Sequence, residues 1–470
     1  MNVVAKSTPL AVRDPELEGL RVLIVGLGRS GLAAARIVAT KGARITIADD
    51  RSELELGEAA VEARRLGAEL CTGGTPAERA RRADLVVVSP GVPPENDLLR
   101  EARSLGLPVW GEVELAARYC RGKVIGVTGS NGKSTVTTMI GEILRRCGES
   151  CRVGGNLDVP FSDLLTGGDE SVYVLELSSF QLETLESLRP DIALVLNVSP
   201  DHLDRHPSFE AYSRAKARLL ELQEAETDAV LNADDPSSAD FDSSVRGRLY
   251  RFSTRGEIDR GAFLRGERLV LRTAHGEEEL LDRVELPLPG EHNVANALAA
   301  ALAARLHGCG VEEIADALRA YIPLPHRLER VATVRGVAFY NDSKATNPAA
   351  AARSLAAFEP GRVHLILGGR DKGTGWDELV PLVERHALRV LLVGETTATL
   401  ERRLAGIVPT VDCGSVSRAV AIGFERAREG DVVLLAPACA SFDQYLNYVA
   451  RGEDFRRAVQ SLGREGGNDA

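Results

Sequence analysis

No stretch of this 470-residue chain approaches 18 consecutive apolar residues, so a membrane-spanning helix is not expected. The least polar run, 295–306, is interrupted by Asn296 and Arg305 and reads as a buried helix. Residues 1–19 lack the apolar core of a signal peptide. A basic excess is missing as well: 57 Lys and Arg stand against 68 Asp and Glu, a net charge of −11. A nucleic-acid surface wants a basic face, so no nucleic-acid partner is expected, although local loops in an acidic protein can still hold phosphate. Paired cysteines are also lacking. The seven are odd in number and scattered, and the one close pair, Cys147 and Cys151, does not have metal-knuckle spacing. They read as reduced thiols, and these absences together predict a cytoplasmic protein without membrane insertion. No internal repeat or low-complexity tract stands out, apart from a polar, glycine-containing tail after Leu462 that is expected to fray.

What is present is organised around 123–135. The apolar run Val124-Ile125-Gly126-Val127 leads into Thr128-Gly129-Ser130-Asn131-Gly132-Lys133-Ser134-Thr135, and a helical pattern follows to Leu144. Glycines let backbone N–H groups approach phosphate oxygens, and the helix N-terminus adds partial positive charge. Lys133 can reach terminal phosphates, and Ser134 or Thr135 can ligate Mg²⁺. The full P-loop pattern wants glycine six positions before the lysine, where Val127 stands; only the half Gly129-x-x-Gly132-Lys133-Ser134 is kept. A nucleoside triphosphate is the expected ligand.

A second nucleotide-type loop precedes it. A strand at 21–25 runs into Gly26-Leu27-Gly28-Arg29-Ser30-Gly31 and a helix to Val38; the next strand, 45–48, closes on Asp49-Asp50-Arg51. This is the complete G-x-G-x-x-G fingerprint with an acid about 20 positions on. It recognises a pyrophosphate, so a nicotinamide cofactor and a uridine diphosphate sugar both fit, and a tight turn without ligand is the bland alternative. Strands at 85–88 and 109–110 complete a small doubly wound sheet. The second domain has strands at 172–177, 192–197 and 229–232, helices at 182–188, 208–222 and 290–307, and an antiparallel insertion at 246–288. A proline-rich linker, Ile322-Pro323-Leu324-Pro325-His326, introduces strands at 338–341, 363–367, 390–393 and 432–435, alternating with helices. The predicted fold class is α/β in three domains: a Rossmann-like domain at 1–119, a P-loop domain with a mainly parallel sheet at 120–323, and a Rossmann-like domain at 324–470.

Local pattern alone leaves several residues open. Glu176 ends a strand beside the phosphate loop, where it suits either a Mg²⁺ site or a pair with a surface arginine. Asp201-His202-Leu203-Asp204-Arg205-His206 invites a metal or catalytic reading, yet such clusters are more often polar loops. Lys216 reads as a solvated helix lysine. Lys344, in Asn341-Asp342-Ser343-Lys344-Ala345-Thr346-Asn347-Pro348, sits in an ordered loop suited to presenting a ligand-binding lysine, and Lys372 sits in a glycine-rich turn after a strand.

In combination, these motifs resemble the Mur ligase family. The resemblance rests on Thr128–Thr135, Gly155-Asn156, Glu176-Leu177-Ser178-Ser179-Phe180-Gln181-Leu182, Asp201–Arg205, His292-Asn293 with Asn296, and Pro325-His326-Arg327. Asn341–Asn347 and Ala438-Cys439-Ala440-Ser441-Phe442-Asp443-Gln444 resemble loops of the D-glutamate-adding member. The likeness spans all three domains in family order, and the family's shorter loop accounts for the missing glycine. It implies a ligase of peptidoglycan precursor synthesis that uses ATP to add D-glutamate to UDP-N-acetylmuramoyl-L-alanine through an acyl phosphate, as a monomer. It places Gly28, Arg29 and Ser30 near the pyrophosphate and Asp49 and Arg51 near the uridine, with Ser89, Gly91, Asn156, Ser178 and Gln181 also at the substrate. Gly129, Ser130, Asn131, Gly132, Lys133, Ser134, Thr135, Asn293, Asn296, Arg327 and Asp342 would bind ATP. Two Mg²⁺ ions are implied, one on Ser134 and Glu176, the other on His202 and a carbamylated Lys216. Lys133, His202, Lys216 and Lys344 would be catalytic, while Lys344, Thr346, Lys372 and Ser441 would grip substrate carboxylates with Tyr448 packed nearby. A different amino acid, a nicotinamide-dependent dehydrogenase and a non-enzymatic ATP-binding protein are the rival readings.

Overall fold

The computed structural model describes residues 13–165, 171–201, 205–371, 373 and 375–465. Three sheets follow one another along the chain. The first holds β1 (Arg21–Val25), β2 (Arg44–Asp49), β3 (Glu69–Thr72), β4 (Leu85–Val88) and β5 (Val109–Gly111), all parallel in the order β3-β2-β1-β4-β5. Its central strands are almost wholly apolar and β-branched, as burial on both faces requires. The chain reverses its direction of travel across the sheet between β1 and β4, so loops 26–31 and 89–93 share the edge where such folds bind ligands.

The second sheet has nine strands: β6 (Val124–Thr128), β7 (Cys151–Gly155), β8 (Val172–Glu176), β9 (Ile192–Val195), β10 (Asp228–Asn232), β11 (Arg248–Ser253), β12 (Gly261–Arg265), β13 (Arg268–Thr273) and β14 (Gly276–Asp282). Their order is β14-β13-β12-β11-β10-β9-β6-β8-β7, which places β6 between β9 and β8. The expected antiparallel stretch begins later than the sequence pattern implied. β11 continues the parallel sheet and β12 pairs parallel with it; reversal is confined to the β12–β13 and β13–β14 pairs. Glycine makes the late start possible: Gly261 has φ +147°, and a Cβ there would collide with the Arg251 carbonyl on β11. The helix expected at 182–188 is also shorter and earlier. It spans Ser179–Leu182, started by a capping box between Ser178 and Gln181. Leu185 and Leu188 are buried from the turns that follow, so their spacing reports burial and not a helix.

The third sheet holds β15 (Glu329–Val334), β16 (Val337–Asn341), β17 (Val363–Gly368), β18 (Ala387–Val393), β19 (Thr410–Gly414) and β20 (Val432–Leu435) in the order β15-β16-β20-β17-β18-β19. Only the β15–β16 pair is antiparallel.

The chain falls into two compact units, residues up to Asp282 with Asn296–Leu318, and Arg283–Ala295 with residues from Arg319 onward. Within the first, buried carboxylates tie the first sheet to the second. Glu114, on the helix Glu112–Tyr119, accepts from the Ser187 hydroxyl at 2.6 Å, the Ser187 and Glu186 N–H groups at 2.9 and 2.8 Å, and Arg118 Nε at 2.8 Å. Glu112 accepts the Ser162 N–H at 2.6 Å, and Arg36 reaches Asp163 at 2.7 Å. All seven cysteines are free thiols. Among the described residues, no helix is long and apolar enough to cross a membrane.

Candidate functional site

β6 ends in a turn that only glycine accommodates. Gly129 has φ +152° and Gly132 φ +84°, and Gly132 starts the helix Lys133–Arg146 from a left-handed conformation. A Cβ on Gly132 would lie 2.5 Å from Asn296 Oδ1, so Asn296 sits directly against this loop. Asn197, just past β9, braces the loop from the side. Its Oδ1 accepts the Asn131 N–H at 2.9 Å, its Nδ2 donates to Asn131 O at 3.0 Å, and its carbonyl accepts the Ser130 N–H at 2.8 Å. Ser130 Oγ lies 3.0 Å from the Tyr212 hydroxyl and donates to Ser199 O at 3.0 Å.

Two lysines converge on one carbonyl here. Lys133 Nζ donates to Gly129 O at 2.8 Å and to Ser130 O at 3.2 Å; Lys216 Nζ donates to Gly129 O at 2.9 Å. Lys216 is not the solvated helix lysine that local pattern suggests. It is 1% exposed and its Nζ lies 4.4 Å from the Tyr212 ring centroid. Burial, followed by the nearby charge of Lys133, pushes its pKa well below the usual lysine range, against the opposing pull of Asp201 and Glu176. The helix Phe209–Glu221 buries this face because Tyr212, Lys216, Leu219 and Leu220 recur at helical spacing.

Glu176, the last residue of β8, is buried and joins two other expected site residues. Its Oε2 accepts the Ser134 hydroxyl in a short hydrogen bond, and its Oε1 accepts Asn156 Nδ2 at 2.8 Å. Its carbonyl also accepts the Asn156 N–H at 2.8 Å. Of the two readings left open for Glu176, the surface arginine pair is not the one present in these hydrogen bonds. Thr135 follows Ser134 in the first turn of the phosphate-loop helix. Among the described residues no three His, Cys, Asp or Glu side chains converge as a ready metal cluster. A hydroxyl and one carboxylate beside a phosphate loop form an all-oxygen donor set, which suits a hard cation completed by phosphate oxygens. The structure thus fits a nucleotide and Mg²⁺ here. His202 lies outside the described residues. His206, from the same polar loop, is buried with Nε2 3.0 Å from Ser179 Oγ and its ring stacked on Phe180.

On the first sheet, the glycine-rich loop is held by the residues expected to bind ligand. Asp49 accepts the Leu27 N–H at 2.7 Å, the Arg51 N–H at 3.0 Å, and Arg51 Nε and Nη2 at 2.9 Å each. Burial acts to raise this carboxyl, but the Arg51 side chain and the two backbone donors outweigh it and hold the pKa at about 2. With both oxygens so engaged, Asp49 braces the glycine-rich loop and fixes Arg51 beside it. Ser89 Oγ donates to Gly26 O at 2.7 Å, and Gly91 lies exposed in the next turn. Gly28 caps the helix Arg29–Thr40, whose first residues are Arg29 and Ser30; Arg29 donates to Asp158 O at 3.0 Å, two residues beyond Asn156. Ser178 and Gln181 hydrogen-bond each other as a helix cap, while Gln181, Ser89, Glu112, Phe180 and Arg205 line a cleft in this unit.

The second unit carries its own set. Asp342, past the end of β16, is buried and accepts the Ser354 hydroxyl and the Leu328 N–H; burial pushes its pKa to about 6 despite these bonds and the charge of Arg327. Lys344 Nζ lies 4.1 Å from the Tyr448 ring centroid, and the Thr346 N–H donates to Lys344 O at 2.8 Å. Ser441 is buried, and its carbonyl accepts the Tyr445 N–H at 2.8 Å. Asn293 Nδ2 donates to Pro289 O at 2.7 Å. Lys372 lies outside the described residues.

Three family domains match in order: the Mur ligase MurD-like N-terminal domain at residues 20–111, the Mur ligase middle domain at 127–304, and the Mur ligase glutamate ligase domain at 326–439. The chain is 45% identical over 447 residues to a UDP-N-acetylmuramoylalanine–D-glutamate ligase of Acidobacterium capsulatum, covering 94% of this chain and 97% of that protein. The chain belongs to the Mur ligase family. A second Mur ligase of the same name, from Anaeromyxobacter dehalogenans, is 45% identical, with 96% of this chain and 99% of that protein covered. Among solved structures, a pseudomurein peptide ligase type C from Methanothermus fervidus aligns with a TM-score of 0.59 at 19% identity, over 94% of this chain and 100% of that one, a likeness of fold. Asn197, Ser199 and Tyr212 brace the phosphate loop of this Mur ligase without being among the site residues that its motifs imply. Asn197 ends a predicted strand and Tyr212 shares a predicted helix with Lys216, so strand-end position and helical spacing were the available signals.

Proposed function

We propose that the chain is an ATP- and Mg²⁺-dependent ligase that adds D-glutamate to UDP-N-acetylmuramoyl-L-alanine, a cytoplasmic step of peptidoglycan precursor synthesis, and that it works as a monomer. The observation that carries this reading is 42–45% identity, over nearly the whole chain, to proteins bearing that activity in their names. The three domains are taken as 1–119 for the UDP substrate, 120–323 for ATP and 324–470 for the amino acid.

The geometry of each unit suits the chemistry. A carboxylate is a poor acyl donor because its oxygen is a bad leaving group. Transfer of the γ-phosphoryl group from ATP to the alanyl carboxylate gives an acyl phosphate and ADP. The glutamate amine then attacks the carbonyl carbon, a proton leaves nitrogen, and phosphate departs as the amide forms. Negative charge gathers throughout, so cations and N–H donors are needed. Lys133 and the N–H groups of 129–135 would hold the phosphates. Ser134 and Glu176 would hold one Mg²⁺, with His202 and Lys216 at the second; the metal, when bound, neutralises phosphate charge. As a Mg²⁺ ligand Lys216 would serve as a carbamate, because a plain ammonium would repel the metal. Its neutral amine adds CO₂ to give a carbamate and release a proton, and the burial that depresses its pKa favours the neutral form. Asn156, Ser178 and Gln181 would orient the muramoyl part, with Gly28, Arg29, Ser30, Asp49, Arg51, Ser89 and Gly91 on the UDP part. Asn293, Asn296, Arg327 and Asp342 would bind ATP. Lys344, Thr346, Lys372 and Ser441, beside Tyr448, would grip carboxylates.

The test is phosphate release by the purified protein with ATP, Mg²⁺ and UDP-N-acetylmuramoyl-L-alanine, supplying D-glutamate, L-glutamate and D- or L-lysine separately. Release with D-glutamate alone, with a product heavier by one glutamyl residue, is expected. Release with another amino acid would overturn the specificity, and silence with all four would overturn the reaction.

A further inference from the structure

Arg451 is 1% exposed, on the first turn of the helix Tyr448–Glu465, and ranks among the largest fully buried side chains of the protein. Among the described residues no carboxylate lies within ion-pair distance of it. Its donors go to uncharged oxygens: Nε to Ser343 Oγ at 3.0 Å, Nη2 to Ser343 O at 2.9 Å, and Nη1 to Cys439 O at 3.1 Å. A buried charge with only the more distant pull of Asp443 to balance it persists only where such acceptors are fixed around it.

Those acceptors belong to two loops at the C-terminal edge of the third sheet, and a third loop abuts them. Ser343 follows β16 and immediately precedes Lys344; Cys439 follows β20, two residues before Ser441. Gly369 follows β17, and a Cβ on it would lie 3.2 Å from Arg451 Nη1. That loop is stitched to the β20 loop by Arg370 N–H to Ala440 O at 2.9 Å and Ala440 N–H to Arg370 O at 3.0 Å. Ser343 Oγ in turn donates to Tyr448 O at 2.7 Å, on the residue whose ring lies beside the Lys344 ammonium. One planar guanidinium with a fixed fork of donors thus sets the spacing between the Lys344 and Ser441 loops, a geometry a lysine cannot reproduce.

We infer that Arg451 is a positioning residue for amino-acid recognition, acting through the Lys344 and Ser441 loops, which it holds in mutual register without touching the ligand itself. This rests on the ligase reading above, with those loops gripping the glutamate carboxylates. Displacing either loop leaves the guanidinium short of acceptors, so the loops hold their places together.

Arg451→Lys, Arg451→Ala and Ser343→Ala are to be compared with wild type by separate KM measurements for D-glutamate, ATP and UDP-N-acetylmuramoyl-L-alanine. Arg451→Lys is expected to raise the KM for D-glutamate at least tenfold while the other two KM values stay within about twofold. Ser343→Ala, which removes one acceptor, should shift the same constant by less. Methylguanidinium should restore activity to Arg451→Ala, and methylammonium at equal concentration should not. A rise in all three KM values together, a fall in kcat alone, or equal rescue by both cations would overturn the inference. If Arg451 variants do not fold, the Ser343→Ala profile decides, an unchanged KM for D-glutamate counting against it. A wild-type protein inactive with D-glutamate would instead bring down the ligase reading on which the inference stands.

Discussion

Lys216 lies beneath the phosphate loop with its Nζ on the Gly129 carbonyl. Lys216→Ala is expected to lose nearly all phosphate-release activity and to recover part of it when a small carboxylate such as formate supplies the missing anion. Full activity in the unrescued variant would sink the carbamate role. Glu112 carries a second prediction, about pH. Burial raises its carboxyl from 4.5 to about 7, the Ser162 N–H and side chain opposing this and Asp163 adding to it. Between those two values the native state holds a proton that the unfolded chain has lost, so stability falls as pH rises through that window. The full loss is roughly 3 kcal/mol. Glu112→Gln should match wild type in denaturant midpoint at pH 4.5 and exceed it at pH 8; equal midpoints at both would refute the assignment. Neither environment could be seen in the residues. Lys216 looked like any helix lysine because its neighbour Gly129 is 87 positions away, and only the family likeness singled it out. Glu112 was not singled out at all, since a carboxylate at a helix start is ordinarily solvated.

Among the elements, the short helix Ser179–Leu182 can be probed through its cap. Ser178→Ala removes both the hydroxyl that accepts the Gln181 N–H and that hydroxyl's bond to Gln181 Oε1. A loss of about 1 kcal/mol in unfolding free energy is expected. If Ser178 also meets the substrate, the KM for the UDP substrate should rise beyond what a cap variant elsewhere produces; an unchanged KM confines it to capping. Strands were legible where both faces are buried: β1, β4 and β20 fall on the apolar runs that announced them. β3, β15 and β19 carry little sequence signal because each lies at a sheet edge with alternating or polar residues, and β7, ending Gly154-Gly155, has little propensity of its own. The antiparallel insertion expected at 246–288 starts only at the β12–β13 pair, because glycine and charge look alike in a hairpin and beside a parallel neighbour.

For the whole molecule, the Glu114–Arg118–Ser187 cluster makes the first two sheets parts of one compact unit. Glu114→Ala would take from Arg118, 6% exposed, its buried carboxylate and leave the solvent-exposed Glu186 carboxylate at 3.7 Å, at a cost of up to about 3–5 kcal/mol. Thermal unfolding should show an earlier loss of the first sheet, read as faster proteolysis of residues before Cys120; an unaltered cleavage pattern would count against the coupling. The order of three α/β domains was readable because each opens on its own apolar strand and glycine turn, whereas the buried acids that join the first two carry no sequence signal. The burial of Lys216 also reaches beyond the protein, to the air above the solution. On the proposed carbamate reading, a neutral amine that takes up dissolved CO₂ makes activity depend on a gas. Enzyme dialysed into degassed, bicarbonate-free buffer should begin turnover after a lag that a trace of bicarbonate abolishes, so a preparation's handling history would appear in its measured rate.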